Sequence, residues 1–554
     1  MRKIIKVSAT NILFKSNNEQ DLIMTNFAKM LNSLKLPIQI LFKTNNYNLR
    51  NKKLKIENQD YDKFLKSLVK ENSFYDKEFY LVINNEDEQL VYSSMEIIKK
   101  YLKTCKLTCE EIKCKDLEEY IPDEFKSGYT KFKEYYTKTF YVEDWPYSAY
   151  CGWLTDIYNS ELNIDISMNI EPINREESLK YLERKIAQNA SNIIINDEDN
   201  LLSDEYDEYI KSAFRMREEI LKNDGKMFFM SFYITLKEKT IDKLNKQTDL
   251  LKSLLSSMGI KSFSCLFRQD DGYRITEPIG NDILNKKYNF TTNVLKYFFP
   301  FISMHIMDED GVLIGENLLT PGLIFLNPFI YNSALMFVLG KVGGGKTYLI
   351  QLLVLRLAYM GVQIDIWDQT NLEYQNLLKL CKLPNVKVHS YNSIELYEEE
   401  MIKYLDSMKD NLHELNPRML IIDEGWKFIS SDIICNGINE ISLTGRKAYQ
   451  GLCFITQMIE HLNDERILSI LRQASIKAIM QMEPNSAKVV KDQLDLTQEE
   501  YSFLISAQHE GILFAGSKHV QFKALASKKE DKIITTDPRK RLKNKMKANK
   551  KKGA

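Results

Sequence analysis

The octapeptide Gly340-Lys341-Val342-Gly343-Gly344-Gly345-Lys346-Thr347 constrains this chain more than any other stretch. An apolar run at 334–339 precedes it and a helical pattern over 347–360 follows it, so it reads as a glycine-rich turn between a buried strand and a helix. Glycines at 340, 343, 344 and 345 let the backbone wrap closely around a phosphate chain with its N–H groups turned inward, and the helix N-terminus adds its positive dipole end. The candidate nucleotide-binding residues are therefore Gly340, Gly343, Gly344, Gly345, Lys346, Thr347 and Tyr348. Lys346 is placed to reach the β- and γ-phosphates of ATP, and the Thr347 hydroxyl to ligate Mg2+.

From residue 333 onward, short apolar runs at 334–339, 362–367, 419–422, 452–456 and 476–480 alternate with helical stretches. Buried strands of a mostly parallel α/β sheet read in this way. The run at 419–422 ends in Asp423-Glu424, a carboxylate pair of the Walker B kind, with Asp423 a second Mg2+ ligand and Glu424 the group that orients and deprotonates water. The run at 452–456 ends at Gln457, which either senses the γ-phosphate or positions water, or is a solvated residue at a strand end. Arg446 in Gly445-Arg446-Lys447 is a candidate cation for the transferring phosphoryl group, supplied across a subunit boundary, with Arg472 as its competitor and a plain surface arginine as the alternative. Asp368 and Glu373-Tyr374 follow the second run and lie near either the nucleotide or a subunit neighbour, with a helix cap as the alternative reading of Asp368.

Composition sets the frame around that segment. At 554 residues the chain has room for about three or four domains. Lys plus Arg and Asp plus Glu both number 76, so no global charge argues for nucleic acid or membrane. Nine of the basic residues sit in 538–554, a tail read as disordered, which either touches DNA, lipid or an acidic partner or only aids solubility. Residues 1–127 hold no glycine and 311–554 hold fifteen of the 21, which places the tight backbone work late in the chain. The expected divisions are an α+β subdomain over 1–125, a second over 126–310 with an acidic solvated connector at 197–208, the nucleotide domain over 311–537, and the tail. The stretch 317–340 is long enough to span a bilayer, but its prolines, glycine and asparagines suit two strands joined by turns. Eight unpatterned cysteines and no secretory signal suggest reduced thiols and a cytoplasmic setting. Cys105, Cys109 and Cys114 read as buried thiols on one helical face rather than metal ligands, and the histidines are assigned no catalytic role.

These motifs together resemble the VirB-four, or TraE-like, family of conjugation and type IV secretion ATPases, in the version typical of Gram-positive mobile elements. The resemblance rests on 340–347, on Asp423-Glu424-Gly425-Trp426, on Gly445-Arg446-Lys447 with Thr456-Gln457, and on Leu496-Thr497 through Thr535-Thr536-Asp537-Pro538. In the N-terminal half it rests on Leu36-Pro37-Ile38, Gly152-Trp153-Leu154, Pro172-Ile173 and residues 228–234. It implies a RecA-like P-loop ATPase domain and ring-forming oligomers, commonly hexamers, docked peripherally at the cytoplasmic face of the cell membrane. The implied partners are inner-membrane channel subunits and a coupling protein. One departure is Gly425 in a place usually held by alanine, a small-for-small change expected to spare the acids. The implied function is an ATP-hydrolysing motor that energises channel assembly or substrate transfer. Its rivals are a DNA-translocating coupling protein of HerA/FtsK type, although such proteins usually begin with transmembrane helices and none is visible here, and a nucleotide-binding scaffold docked to channel subunits.

Overall fold

The structure, a computed structural model, describes residues 1–12, 15–46, 59–71, 75–112, 122–195, 200–222, 225–308, 310–320, 322–368, 373–381, 383–391, 393–410, 416–428, 431–457, 465–516, 518–535 and 539. The basic tail, apart from Arg539, lies outside the described residues, as does Cys114. The chain divides into two units, one of residues 1–46 and 75–303, the other of residues 47–74 and 304–554.

The first unit is built on strands β1 (Arg2–Val7), β2 (Ile38–Asn46), β3 (Tyr75–Asn84), β4 (Cys109–Ile112), β5 (Glu124–Phe125), β6 (Thr130–Lys131), β7 (Tyr136–Asp144), β8 (Ile164–Ile173), β9 (Met227–Glu238), β10 (Lys261–Ser264) and β11 (Tyr288–Thr291). They form one sheet in the order β4-β1-β3-β2-β8-β9-β7-β6-β5, with β10 on β7 and β11 on β9. Strands from either side of residue 125 thus share one sheet, joined where β2 pairs with β8. β9 reads Met-Phe-Phe-Met-Ser-Phe-Tyr-Ile-Thr-Leu and is almost continuously buried, as a strand covered on both faces must be. Three of its helices begin at side-chain caps: Ser16 accepts from Glu19 N–H, Asp87 from Leu90 N–H and Thr240 from Lys243 N–H. The acidic stretch expected as a loop is helical from its fourth residue, in the helix Asn200–Leu221. Cys105 caps the helix Glu88–Thr104 and Cys109 opens β4, so the cysteines do not share a helical face.

The second unit carries β12 (Val312–Asn317), β13 (Leu323–Leu326), β14 (Leu335–Leu339), β15 (Gln363–Trp367), β16 (Val386–His389), β17 (Arg418–Ile422), β18 (Gln450–Thr456), β19 (Ile476–Met480), β20 (Glu510–Ala515) and β21 (Lys518–Ala524). Their order is β13-β12-β21-β20-β19-β14-β18-β17-β15-β16. Every pairing from β19 to β16 is parallel, and every pairing from β13 to β19 is antiparallel. The mostly parallel sheet expected from the sequence is thus corrected: the second sheet is mixed, and the first is antiparallel throughout. The physical reason is connection length. Only residues 516–517 separate β20 from β21, too few for a parallel crossover.

The stretch 317–340 resolves into β13 and β14 with turns between them, and no described helix is long and apolar enough to cross a membrane. The helix Gln59–Glu71, although early in the chain, belongs to this second unit, where Tyr61 and Leu65 pack on Leu313, Leu323 and Phe325.

Candidate functional site

The parallel block brings five strand ends to one edge. β14 runs into the loop 340–345, β15 into Asp368, β17 into Asp423 and Glu424, β18 into Gln457, and β19 into Gln481. Because β18 lies between β14 and β17, the loop and the acid pair stand one strand apart, with Gln457 at the tip of the intervening strand. Ligands of open α/β sheets sit at this carboxyl edge.

The loop is shaped by its glycines. Gly343 and Gly345 take left-handed backbone states, at φ +76° and +100°, and Gly345 caps the helix Lys346–Tyr359. Lys341 N–H donates to Gln481 O at 2.8 Å and Gly344 N–H to Lys341 O at 3.1 Å, which closes the turn. The Lys346 side chain is buried and folds back into the loop, where its ammonium donates to Gly340 O at 2.7 Å and Lys341 O at 3.0 Å. Burial lowers its pKa to about 8, against the opposing pull of Glu424, Asp423 and Glu373. An ammonium held on two loop carbonyls can exchange them for phosphate oxygens. Tyr348 is committed elsewhere: its hydroxyl donates to Asp531 at 3.1 Å, which leaves only its main chain for a phosphate.

The acids are equally constrained. Asp423 N–H donates to Trp367 O, while Asp423 itself accepts from the Tyr374 hydroxyl at 3.1 Å and from Glu424 N–H at 3.0 Å. Burial, then the carboxylates of Asp368 and Glu424, push Asp423 up to about 7. Glu424 sits at φ +52°, and its carboxylate accepts from Trp426 Nε1 at 2.7 Å and from the Gln457 amide. Gly425 is pinned beneath this turn, since a Cβ there would come within 2.6 Å of Phe454 Cζ. The residues fit Mg2+: hard oxygen donors at Asp423, Asp368 and Glu424 crowd one another, and Thr347 supplies a hydroxyl in the first turn of the helix that follows the loop. Asp368 crowds Asp423 and accepts at 3.4 Å from the N–H of Glu373, a residue that precedes the helix Gln375–Cys381, so that bond is not a helix cap.

Two expected residues are not brought in. Arg446 lies before β18, at the opposite edge of the sheet, exposed and bonded to Asn332 Oδ1 at 3.0 Å. Arg472 is exposed and donates to Gln493 at 3.3 Å. Sequence reasoning missed Trp426 and Gln481 as positioning groups. A tryptophan two residues after an acid was a local signal, whereas Gln481 reaches the loop only through the pairing of β19 with β14.

No family model matches the chain, and no curated protein matches it. Among solved structures the chain is similar to VirB4 of Thermoanaerobacter pseudethanolicus, at 14% identity and a TM-score of 0.36, over 41% of this chain and 99% of that one. It is similar to the pCW3 conjugation coupling protein TcpA, solved in its monomer form with ATPγS, at 14% identity and a TM-score of 0.31, over 44% of this chain and 75% of that one. A third is Thermomonospora curvata EccC (ATPases 2 and 3), in complex with a signal sequence peptide, at 15% identity and a TM-score of 0.30, over 39% of this chain and 41% of that one.

Proposed function

We propose that this chain is a Mg2+-dependent ATPase that drives a conjugation or type IV secretion apparatus, energising channel assembly or substrate transfer. The observation that supports the chemistry is the convergence at one sheet edge of Lys346 in its loop, Asp423, and a Glu424 whose carboxylate is oriented by Trp426 and Gln457. The motif resemblance supports the cellular setting. In this reading 311–537 is the RecA-like motor body, and the preceding α+β part docks to membrane channel subunits at the cytoplasmic face.

Each residue then has one task. The loop N–H groups and Lys346 hold the phosphate chain, and Thr347 and Asp423 would hold Mg2+, which supplies charge neutralisation across the β- and γ-phosphates. Tyr374 and Glu424 N–H orient the Asp423 carboxylate. Glu424 takes the proton of the attacking water, and the Gln457 amide keeps its carboxylate aimed at the loop. Arg446, far from its own loop, would act on a neighbouring subunit's nucleotide in a ring.

The test is steady-state ATP hydrolysis together with mass in solution for the wild type, Lys346→Ala and Glu424→Gln. The expected result is lost nucleotide affinity in Lys346→Ala, and in Glu424→Gln retained ATP binding with turnover reduced about a hundredfold or more. Robust hydrolysis by Glu424→Gln would overturn the assignment of the base. Stimulation of turnover by DNA would favour the DNA-translocating alternative.

A further inference from the structure

The flank of the loop away from Glu424 is closed by β19 and β20. Gln481 accepts Lys341 N–H with its main-chain oxygen, and its side-chain amide donates to Ile505 O at 3.3 Å, near the end of the helix Gln498–Ser506. Met482 N–H donates to Leu504 O at 2.9 Å. The short turn from that helix into β20 is thus tied to the phosphate loop through consecutive residues after β19. His509 closes the turn in a left-handed state, at φ +60°, which residues other than glycine adopt only at a cost. Gly511, two residues on, lies so close to β19 that a Cβ would stand 2.5 Å from Ile479 O, which fixes the turn against the sheet. His509 Cα and Nδ1 lie 3.4 and 3.6 Å from the position a Cβ on Gly345 would take, and the residue is exposed at the rim of the loop.

We propose that His509 is a nucleotide-contacting residue whose imidazole meets the ribose of a bound nucleoside triphosphate. The inference rests on the nucleotide reading of the loop given above. Its direction comes from strand order. Glu424 and Gln457 leave β17 and β18, so the γ-phosphate end faces that side. β14 lies between β18 and β19, so a phosphate chain crossing the loop carries its nucleoside end toward β19 and β20, where His509 stands. An imidazole there offers an N–H donor to a ribose hydroxyl, and a flat face to the sugar.

The experiment is equilibrium binding of ADP and of inorganic tripolyphosphate to the full-length wild type, His509→Ala, His509→Gln and Lys346→Ala in one magnesium buffer, with thermal unfolding of each free protein. For His509→Ala, ADP binding is expected to weaken about five- to twentyfold, tripolyphosphate binding to change less than about twofold, and the free protein's melting temperature to stay in place. His509→Gln, which keeps a donor, should recover part of the ADP affinity. Lys346→Ala should weaken both ligands. Wild-type ADP affinity in His509→Ala, or equal losses for ADP and tripolyphosphate, overturns the assignment while leaving the loop reading intact. A wild type that binds neither ligand, or a Lys346→Ala protein that binds both normally, overturns the loop reading and this inference with it.

Discussion

Glu424 stands in a left-handed backbone state with both carboxylate oxygens engaged, one by Trp426 and one by Gln457. Such clamping costs turnover, not affinity, when removed. Gln457→Ala should therefore lower the ATP turnover rate about tenfold or more while nucleotide affinity stays near the wild-type value, as read by steady-state kinetics beside equilibrium binding. The neighbouring Gly425 carries a second expectation. From the sequence, glycine for alanine is a small change, but against the Phe454 ring there is no room for even one methyl group. Gly425→Ala should destabilise the protein by about 1–3 kcal/mol in urea unfolding and lower hydrolysis with it, and Phe454→Leu in the same protein should recover part of the loss. The loop and the acid pair were legible because each is a contiguous run whose residue types state their chemistry. Trp426 carried a local signal in its spacing from Glu424, whereas Gln481 and His509 were not legible, because their roles arise from where β19 and β20 end in space, and no local pattern reports that.

The strands of the nucleotide domain were legible for a related reason: β14, β15, β17, β18 and β19 are short, mostly buried and therefore mostly apolar. Apolarity does not carry strand direction, so β13 was read as a strand without its antiparallel sense, and the antiparallel β12, β20 and β21 escaped the reading. The helix Gln59–Glu71 escaped it differently, since its amphipathic pattern says that it packs but not on what. Its Tyr61 ring lies 5.0 Å from the Arg356 guanidinium, at the far end of the helix that begins with Lys346. Arg356 is fully buried and binds Glu530 through two nitrogens, at 2.9 and 2.8 Å, as well as the carbonyls of Leu313 and Leu525. Arg356→Met would strand the Glu530 carboxylate and should cost about 3–5 kcal/mol in urea unfolding, most of it recovered by adding Glu530→Leu. Burial alone would raise the Glu530 carboxyl, but Arg356 and the Ser527 N–H hold it below the ordinary carboxylate value. A depressed carboxyl contributes its stability in full above the unfolded value, about pH 4, and loses it as pH falls through the lower folded value. Wild-type stability should accordingly decline below about pH 4, and Glu530→Gln should flatten that part of the curve.

The position of Arg446 is a statement about the whole molecule. It precedes the seven-residue strand β18, whereas Gln457 follows it, so roughly 20 Å of strand separate the guanidinium's own residue from the acid edge. A cation so placed cannot serve its own loop, and it can serve another only if a second copy brings its amino edge to this carboxyl edge. That contact is heterologous, the kind that closes into rings. Two variants separate the contributions: Lys346→Ala removes the loop's hold on phosphate, and Arg446→Ala removes the cation offered to a neighbour. Each should be nearly inactive alone. When equal amounts are mixed and allowed to reassemble, an active boundary needs an intact Lys346 on one side and an intact Arg446 on the other, which random arrangement supplies at about a quarter of boundaries. Hydrolysis should rise toward that fraction of the wild-type rate, and should rise with total protein concentration as assembly proceeds. Full activity in Arg446→Ala alone would show that the arginine is not used and would move the question to Arg472. Two inactive variants that stay inactive in mixed assemblies of confirmed mass would mean that Arg446 acts within its own subunit or only in folding, and the ring mechanism would lose its cation.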